Sequence, residues 1–297
     1  MAYWITVITF ALIFGSLAVS YNISVGYVGM LSIAHAAFFS IGAYVYAYLG
    51  TAVGDGSWFV ISVLAAMAIA AAVSVAVGVI ITLLPEQFVI MGTFALQVIF
   101  TTLLINMASI TRGVQGIAGV PAPQIGPLVF EGRNSALILA AVLAVFTLGL
   151  AWALLKSNIG LRSRAVRDDA LAAQSMGISV RTVQVGFFAI GAMLAALAGT
   201  IYAGVIGYID PSTFTIETSV QLLSMVVIGG IGNPFGAMLG GIVISVLPAL
   251  MIEFEIGESS AAAIQQVLFG AVMILVIMLR PRGLLPEGLI ARKKQAS

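Results

Sequence analysis

Cysteine is absent from the 297 residues, and histidine occurs once, at His35. The first absence excludes disulfides, thiolate nucleophiles and cysteine-ligated metals. The second leaves no imidazole cluster to hold zinc. Charge is scarce as well: 8% of residues are acidic or basic, against about 25% in a soluble domain. A formal net charge of +1 provides no basic surface for nucleic acid. A phosphate-binding G-x-x-x-x-G-K-S/T run is missing too, so the chain carries no nucleotide machinery of that kind. No acidic or basic side chain precedes Asp55.

What fills the chain instead is hydrocarbon. Hydrophobic residues make up 61% of it, and mean hydropathy is +1.17. Charge-free stretches cover 58–84, 87–111, 134–155, 182–209, 218–252 and 259–279. Each exceeds the ~20 residues a helix needs to cross a hydrocarbon core. A membrane β-barrel would alternate polar and apolar residues in short segments, so its pattern is excluded. The fold class is all-α: a polytopic transmembrane helical bundle with interrupted helices.

The runs predict helices at 3–20, 31–49, 58–82, 88–108, 135–155, 182–206, 217–230, 234–252 and 260–279, about nine spans within a range of eight to ten. Residues 1–20 read as a first helix, since no basic segment precedes the apolar run as in a cleaved signal. Ten of the twelve lysines and arginines collect in two places. Lys156, Arg162, Arg164, Arg167 and Arg181 lie in a central segment at 156–181; Arg280, Arg282, Arg292, Lys293 and Lys294 lie in a tail at 280–297. The positive-inside rule makes both cytoplasmic. The acidic segments 210–217 and 253–258, the loop around Glu131 and, with nine helices, the N-terminus then fall outside. The whole of 1–297 is expected to form one transmembrane domain.

Three glycine- and proline-rich interruptions stand out. Gly26 and Gly29 precede Ser32 and His35; Gln115, Gly116 and Gly119 lie within 112–121; Gly229, Gly230, Gly232 and Asn233 precede Pro234. Glycine permits close helix approach and proline ends a helix. Irregular backbone survives at membrane depth only where protein or a water-lined cavity satisfies it, and transporters place solute sites at such breaks. These residues are therefore the candidate translocation path, although packing accounts equally well for any single break. The third segment also reads as a tight turn joining two antiparallel helices.

The central segment holds a second device. Asp168 or Asp169 can accept from the free amides of a short helix, Ala170 to Met176 favour helix, and Gly177 supplies a stop. Positive charge alone would anchor topology without a capped helix, so a docking surface of Leu171, Ala172, Gln174, Ser175 and Met176, flanked by arginines, is the stronger reading. His35 lacks a carboxylate relay and is expected to be a neutral hydrogen-bonding residue between helices, able to line the path beside Ser32. Asp210 and Pro211 read as an N-cap and first helical residue. Trp4, Trp58 and Trp152 sit near predicted helix ends as interfacial anchors.

The sequence resembles the LivM-type permeases of branched-chain amino acid ABC importers. The resemblance rests on LSIAHAAFFSIGAY at 31–44, RAVRDDALAAQSMGI at 164–178 with AGTIYA at 198–203, VIGGIGNPFGAMLG at 227–240 and LRPRGLL at 279–285. It runs in family order from residue 31 to 285. It departs from the family at Ala170, where proline is usual, and in the short stretch before the first helix. The resemblance implies a non-enzymatic permease subunit in a bacterial or archaeal cytoplasmic membrane. Its implied partners are a second homologous permease, two cytoplasmic ATPases that carry ATP and magnesium, membrane lipid, and a periplasmic or extracellular solute-binding protein. It also identifies Arg164, Arg167, Asp168, Asp169, Leu171, Ala172, Gln174, Met176 and Gly177 with the family's cytoplasmic coupling element. Small apolar amino acids are the expected solute, with urea, short amides and small carboxylates as alternatives. The rival from another class is an ion-coupled secondary transporter or channel using His35, Asp210 or Glu217.

Overall fold

The computed structural model describes residues 2–253 together with 270, 278 and 283–285. Eleven helices follow one another among them: α1 (Ala2–Val28), α2 (His35–Val53), α3 (Phe59–Ile81), α4 (Glu86–Asn106), α5 (Ala108–Thr111), α6 (Arg133–Lys156), α7 (Asn158–Asp168), α8 (Ala170–Ser175), α9 (Val180–Ile206), α10 (Ile216–Gly229) and α11 (Pro234–Glu253). Six of these are long and apolar enough to cross a membrane, and α10 and α11 are shorter apolar helices. The chain is an all-α polytopic bundle consistent with about nine spans. The ninth predicted helix, 260–279, and most of the tail at 280–297 lie outside the described residues.

The first two helices correct the sequence reading. Helix α1 runs 27 residues, about 40 Å at 1.5 Å per residue, and does not stop at residue 20. Tyr21, Asn22 and Ser24, just past the predicted end, are fully buried, so they face protein and leave the helix uninterrupted. Gly26 therefore lies inside a helix. Helix α2 begins at His35 rather than 31, leaving 29–34 as the irregular link.

Helix α1 is the hub, packed against α6, α9, α10 and α11, while α9 also carries α2 and α3. Small residues allow the closest crossing. Gly42 of α2 faces the Ala196 carbonyl of α9, Gly199 faces the Phe39 carbonyl, and a methyl group at either would collide with backbone. Without water between helices, such van der Waals approach is what holds them together in lipid.

The two ends of the bundle are distinct. Arg167 in α7 bonds the Gly26 carbonyl near the end of α1, whereas the Tyr3 hydroxyl, at the other end of α1, donates to Ala249. The N-terminal end of α1 thus lies opposite α7 and α8. The end away from α7 and α8 also carries two short antiparallel pairs. These are β1 (Ile117–Ala118) with β4 (Tyr208–Ile209), and β2 (Gln124–Ile125) with β3 (Leu128–Val129).

Candidate functional site

At the arginine-rich end, Ser157 caps α7 by accepting from the Gly160 amide, and the arginines expected to flank the docking surface, Arg162, Arg164 and Arg167, lie on this eleven-residue helix. Asp169 caps α8, its carboxylate accepting from the Ala172 amide at 2.9 Å. The helix closes on Gly177 at φ +80°. The Ile178 amide donates to Ala173 and that of Gly177 to Gln174. This paired C-terminal closure needs a left-handed residue, which glycine adopts without a Cβ penalty. Ala173 is buried, while Leu171 and Met176 are 80% and 78% exposed. Ala172 and Gln174 are exposed beside them.

The arginines divide their roles. Arg162 is exposed. Arg164 turns back to the Leu155 carbonyl at 2.8 Å. Arg167 reaches the Gly26 carbonyl, lies over Gly29, and pairs with Asp168 at 3.1 Å. A cavity of 730 Å³ opens between this element, the 29–31 link and the α3–α4 turn. Arg181 ties the other flank, donating to Thr82 and to the Val79 carbonyl at the end of α3.

The third interruption belongs to this same end. Helix α10 stops at Gly229, and Asn233 caps α11 by accepting from the Phe235 amide at 3.1 Å, forming the expected turn between antiparallel helices. Asn22 of α1 accepts from the Gly232 amide at 2.9 Å, and Gly26 packs directly on Gly232. Leu284 and Leu285 donate to the carbonyls of Ile228 and Gly229. Gly26, Gly229, Gly230, Gly232 and Asn233 are thus brought together. Gln115, Gly116 and Gly119 are not: they lie at the opposite end of the bundle, where the Tyr208 hydroxyl donates to the Gln115 carbonyl. Asp210 is there too, accepting from the Ser212 amide at 2.7 Å at the start of a 3-10 turn that begins with Pro211.

Between the ends lies a buried polar node of which the sequence had marked only Ser32 and His35. The His35 ring bonds Ser20 of α1 at 2.8 Å and lies against Tyr21; its partner is Ser20 rather than the neighbouring Ser32. The Tyr21 hydroxyl donates to the Ser32 carbonyl. A helix beginning at His35 leaves its first amides without intrahelical partners, and in an apolar medium each unsatisfied group costs several kcal/mol. Side chains from elsewhere accept from them. Ser219 accepts from Ala36 and Gln97 from Ala37, each at 3.0 Å, and Thr93 accepts at 3.0 Å from Ile33 in the preceding link. Gln97 then donates to the Phe214 carbonyl at 2.9 Å, just ahead of α10. Thr93, Gln97 and Ser219 were missed in the sequence, although Thr93, Gln97 and Thr101 recur four residues apart and so share one face of a helix; that spacing and their depth within charge-free runs were the available clue.

A family model described as the branched-chain amino acid transport system permease component matches residues 3–277. The chain is 30% identical over 305 residues to the high-affinity branched-chain amino acid transport system permease protein LivM of Escherichia coli (strain K12), covering 95% of this chain and 70% of that protein. It is 27% identical over 291 residues to the corresponding LivH protein of Salmonella typhimurium, covering 93% and 91%. A shorter likeness, 30% over 131 residues and 39% of each chain, is to the autoinducer 2 import system permease protein LsrC of Photorhabdus luminescens. No solved structure matches significantly.

Proposed function

Because this chain belongs to the permease family of branched-chain amino acid transport systems, we propose that it is a transmembrane permease subunit of an ATP-driven, binding-protein-dependent importer. Its solutes are small amino acids with apolar side chains, the branched-chain ones first. It sits as a multi-pass protein in the cytoplasmic membrane of a bacterium or archaeon. Beside it stands a second, homologous permease. Two cytoplasmic ATPases supply ATP and magnesium chemistry that this chain does not perform, and an external binding protein delivers solute.

The observation that carries this reading is the α7–α8 element. A six-residue helix capped at both ends exposes Leu171 and Met176, while Arg167 links the same element to Gly26 of α1. An ATPase that gripped α8 would pull on the hub helix of the bundle through that link. Nucleotide-driven closure of the ATPases would then shift the paired permeases between outward-open and inward-open packings.

The test is reconstitution of the chain with its genomically adjacent permease, ATPases and binding protein in liposomes. Labelled leucine should accumulate only with ATP inside the ATPase-exposed compartment and binding protein on the other side. Uptake that ignored ATP and followed an imposed proton or sodium gradient would replace the importer with an ion-coupled transporter.

A further inference from the structure

Helix α4 has its polarity turned inward. Thr93 and Gln97, one turn apart, are fully buried, and Thr101 continues the stripe. Phe88, Met91, Phe94 and Ile99 on the other faces are exposed. A membrane helix with a polar stripe inside and hydrocarbon outside is lining something polar. What it lines here is the meeting point of two broken spans. Helix α2 starts part-way through the bundle after the link from the cytoplasmic end. Helix α10, at 14 residues only about 21 Å long, starts part-way from the outer end.

Gln97 joins the two starts. Its carboxamide oxygen accepts from the Ala37 amide of α2 at 3.0 Å and lies 3.4 Å from the Ser219 hydroxyl of α10. Its nitrogen donates to the Phe214 carbonyl at 2.9 Å and toward Thr101 at 3.3 Å. Thr101 itself donates to the same Phe214 carbonyl at 3.2 Å. Ser219 meanwhile accepts from Ala36. One side chain therefore holds three elements whose own backbones do not satisfy one another.

This seam differs in kind from the α2–α9 crossing. There, glycine brings backbone against backbone, and separation would forfeit close packing along the whole contact. The α4 seam is joined by individual hydrogen bonds, each of which is weak in a membrane bundle because alternative partners exist. Bonds of that sort can be exchanged without dismantling the fold. We propose that Gln97 is a positioning residue that latches α4 across the starts of α2 and α10, and that each transport cycle releases and remakes this latch. This deepens the permease reading above and rests on it.

The experiment uses the full complex in liposomes. Gln97→Leu keeps the bulk and removes every bond; it should lower ATP-dependent leucine uptake about tenfold while binding-protein-stimulated ATP hydrolysis stays within twofold. Gln97→Glu, which retains the acceptor oxygen, should recover part of the uptake. Because the chain has no native cysteine, the seam can also be locked in otherwise unmodified protein. A short thiol-cleavable linker between cysteines at Ile33→Cys and Thr93→Cys should stop uptake, and reduction should restore it relative to the uncrosslinked double variant. Normal uptake by the locked complex, or a loss in Gln97→Leu matched by an equal loss of ATP hydrolysis, would overturn the latch alone. Absence of ATP-dependent uptake by the unmodified complex would remove the permease reading and the latch with it.

Discussion

The guanidinium of Arg167 in α7 donates to the carbonyl oxygen of Gly26 in α1, a residue 141 positions earlier in the chain. The bond joins the α7–α8 element to the hub helix at the point where Gly26 packs on Gly232. It also occupies a carbonyl in the last turn of α1, where a cation is favoured.

Arg167→Ala should therefore loosen the connection between ATP hydrolysis and transport. Leucine taken up per ATP hydrolysed should fall about tenfold, with Arg167→Lys recovering part through its charge. The readout is the ratio of the two rates in liposomes. Equal losses in both rates would reduce Arg167 to a purely structural residue.

Gly177→Pro should unravel the end of α8, since proline cannot adopt φ +80° and lacks the amide that donates to Gln174. The local cost is about 3 kcal/mol. Co-purification of the ATPases with the permease should drop sharply while membrane abundance is unchanged. Undiminished co-purification would remove α8 from the docking surface.

Gly42→Leu should destabilise the bundle, because any side chain there meets the Ala196 backbone. Overpacking of a filled crossing costs about 1–3 kcal/mol or more. Detergent-extracted protein should show a lower melting temperature and reduced yield, whereas Gly149→Leu, at a glycine with open space around it, should melt like the unmodified chain.

His35→Ala should reduce uptake only modestly. It removes the ring that bonds Ser20 at 2.8 Å, and cross-helix bonds in membrane bundles average about 0.6 kcal/mol, roughly a threefold effect. Complete loss of uptake by a normally assembled complex would make His35 a residue of the solute path itself.

Several of these features were legible before any coordinates. The cap and stop of α8 were readable because Asp169 and Gly177 act on amides within a few residues of themselves. Asp210 and Pro211 were readable for the same reason. The end of α1 was misplaced: the helix continues through Tyr21, Asn22 and Ser24, polar residues whose burial depends on partners distant in the chain. The candidate path residues divided between two ends of the bundle because glycine marks both a broken span and a tight crossing.

What the sequence alone determined was local: apolar runs long enough to span, the positions where glycine and proline interrupt them, and the charge that orients them. In lipid a helix must satisfy its own backbone, so its existence depends on neighbours in the chain. Only the tertiary structure decided what completes the broken spans. The first amides of α2 need acceptors from outside the helix, and these come from Gln97 and Ser219, 60 and 183 residues away. No local pattern specifies a bond of that range; packing of α4 and α10 against α2 supplies it.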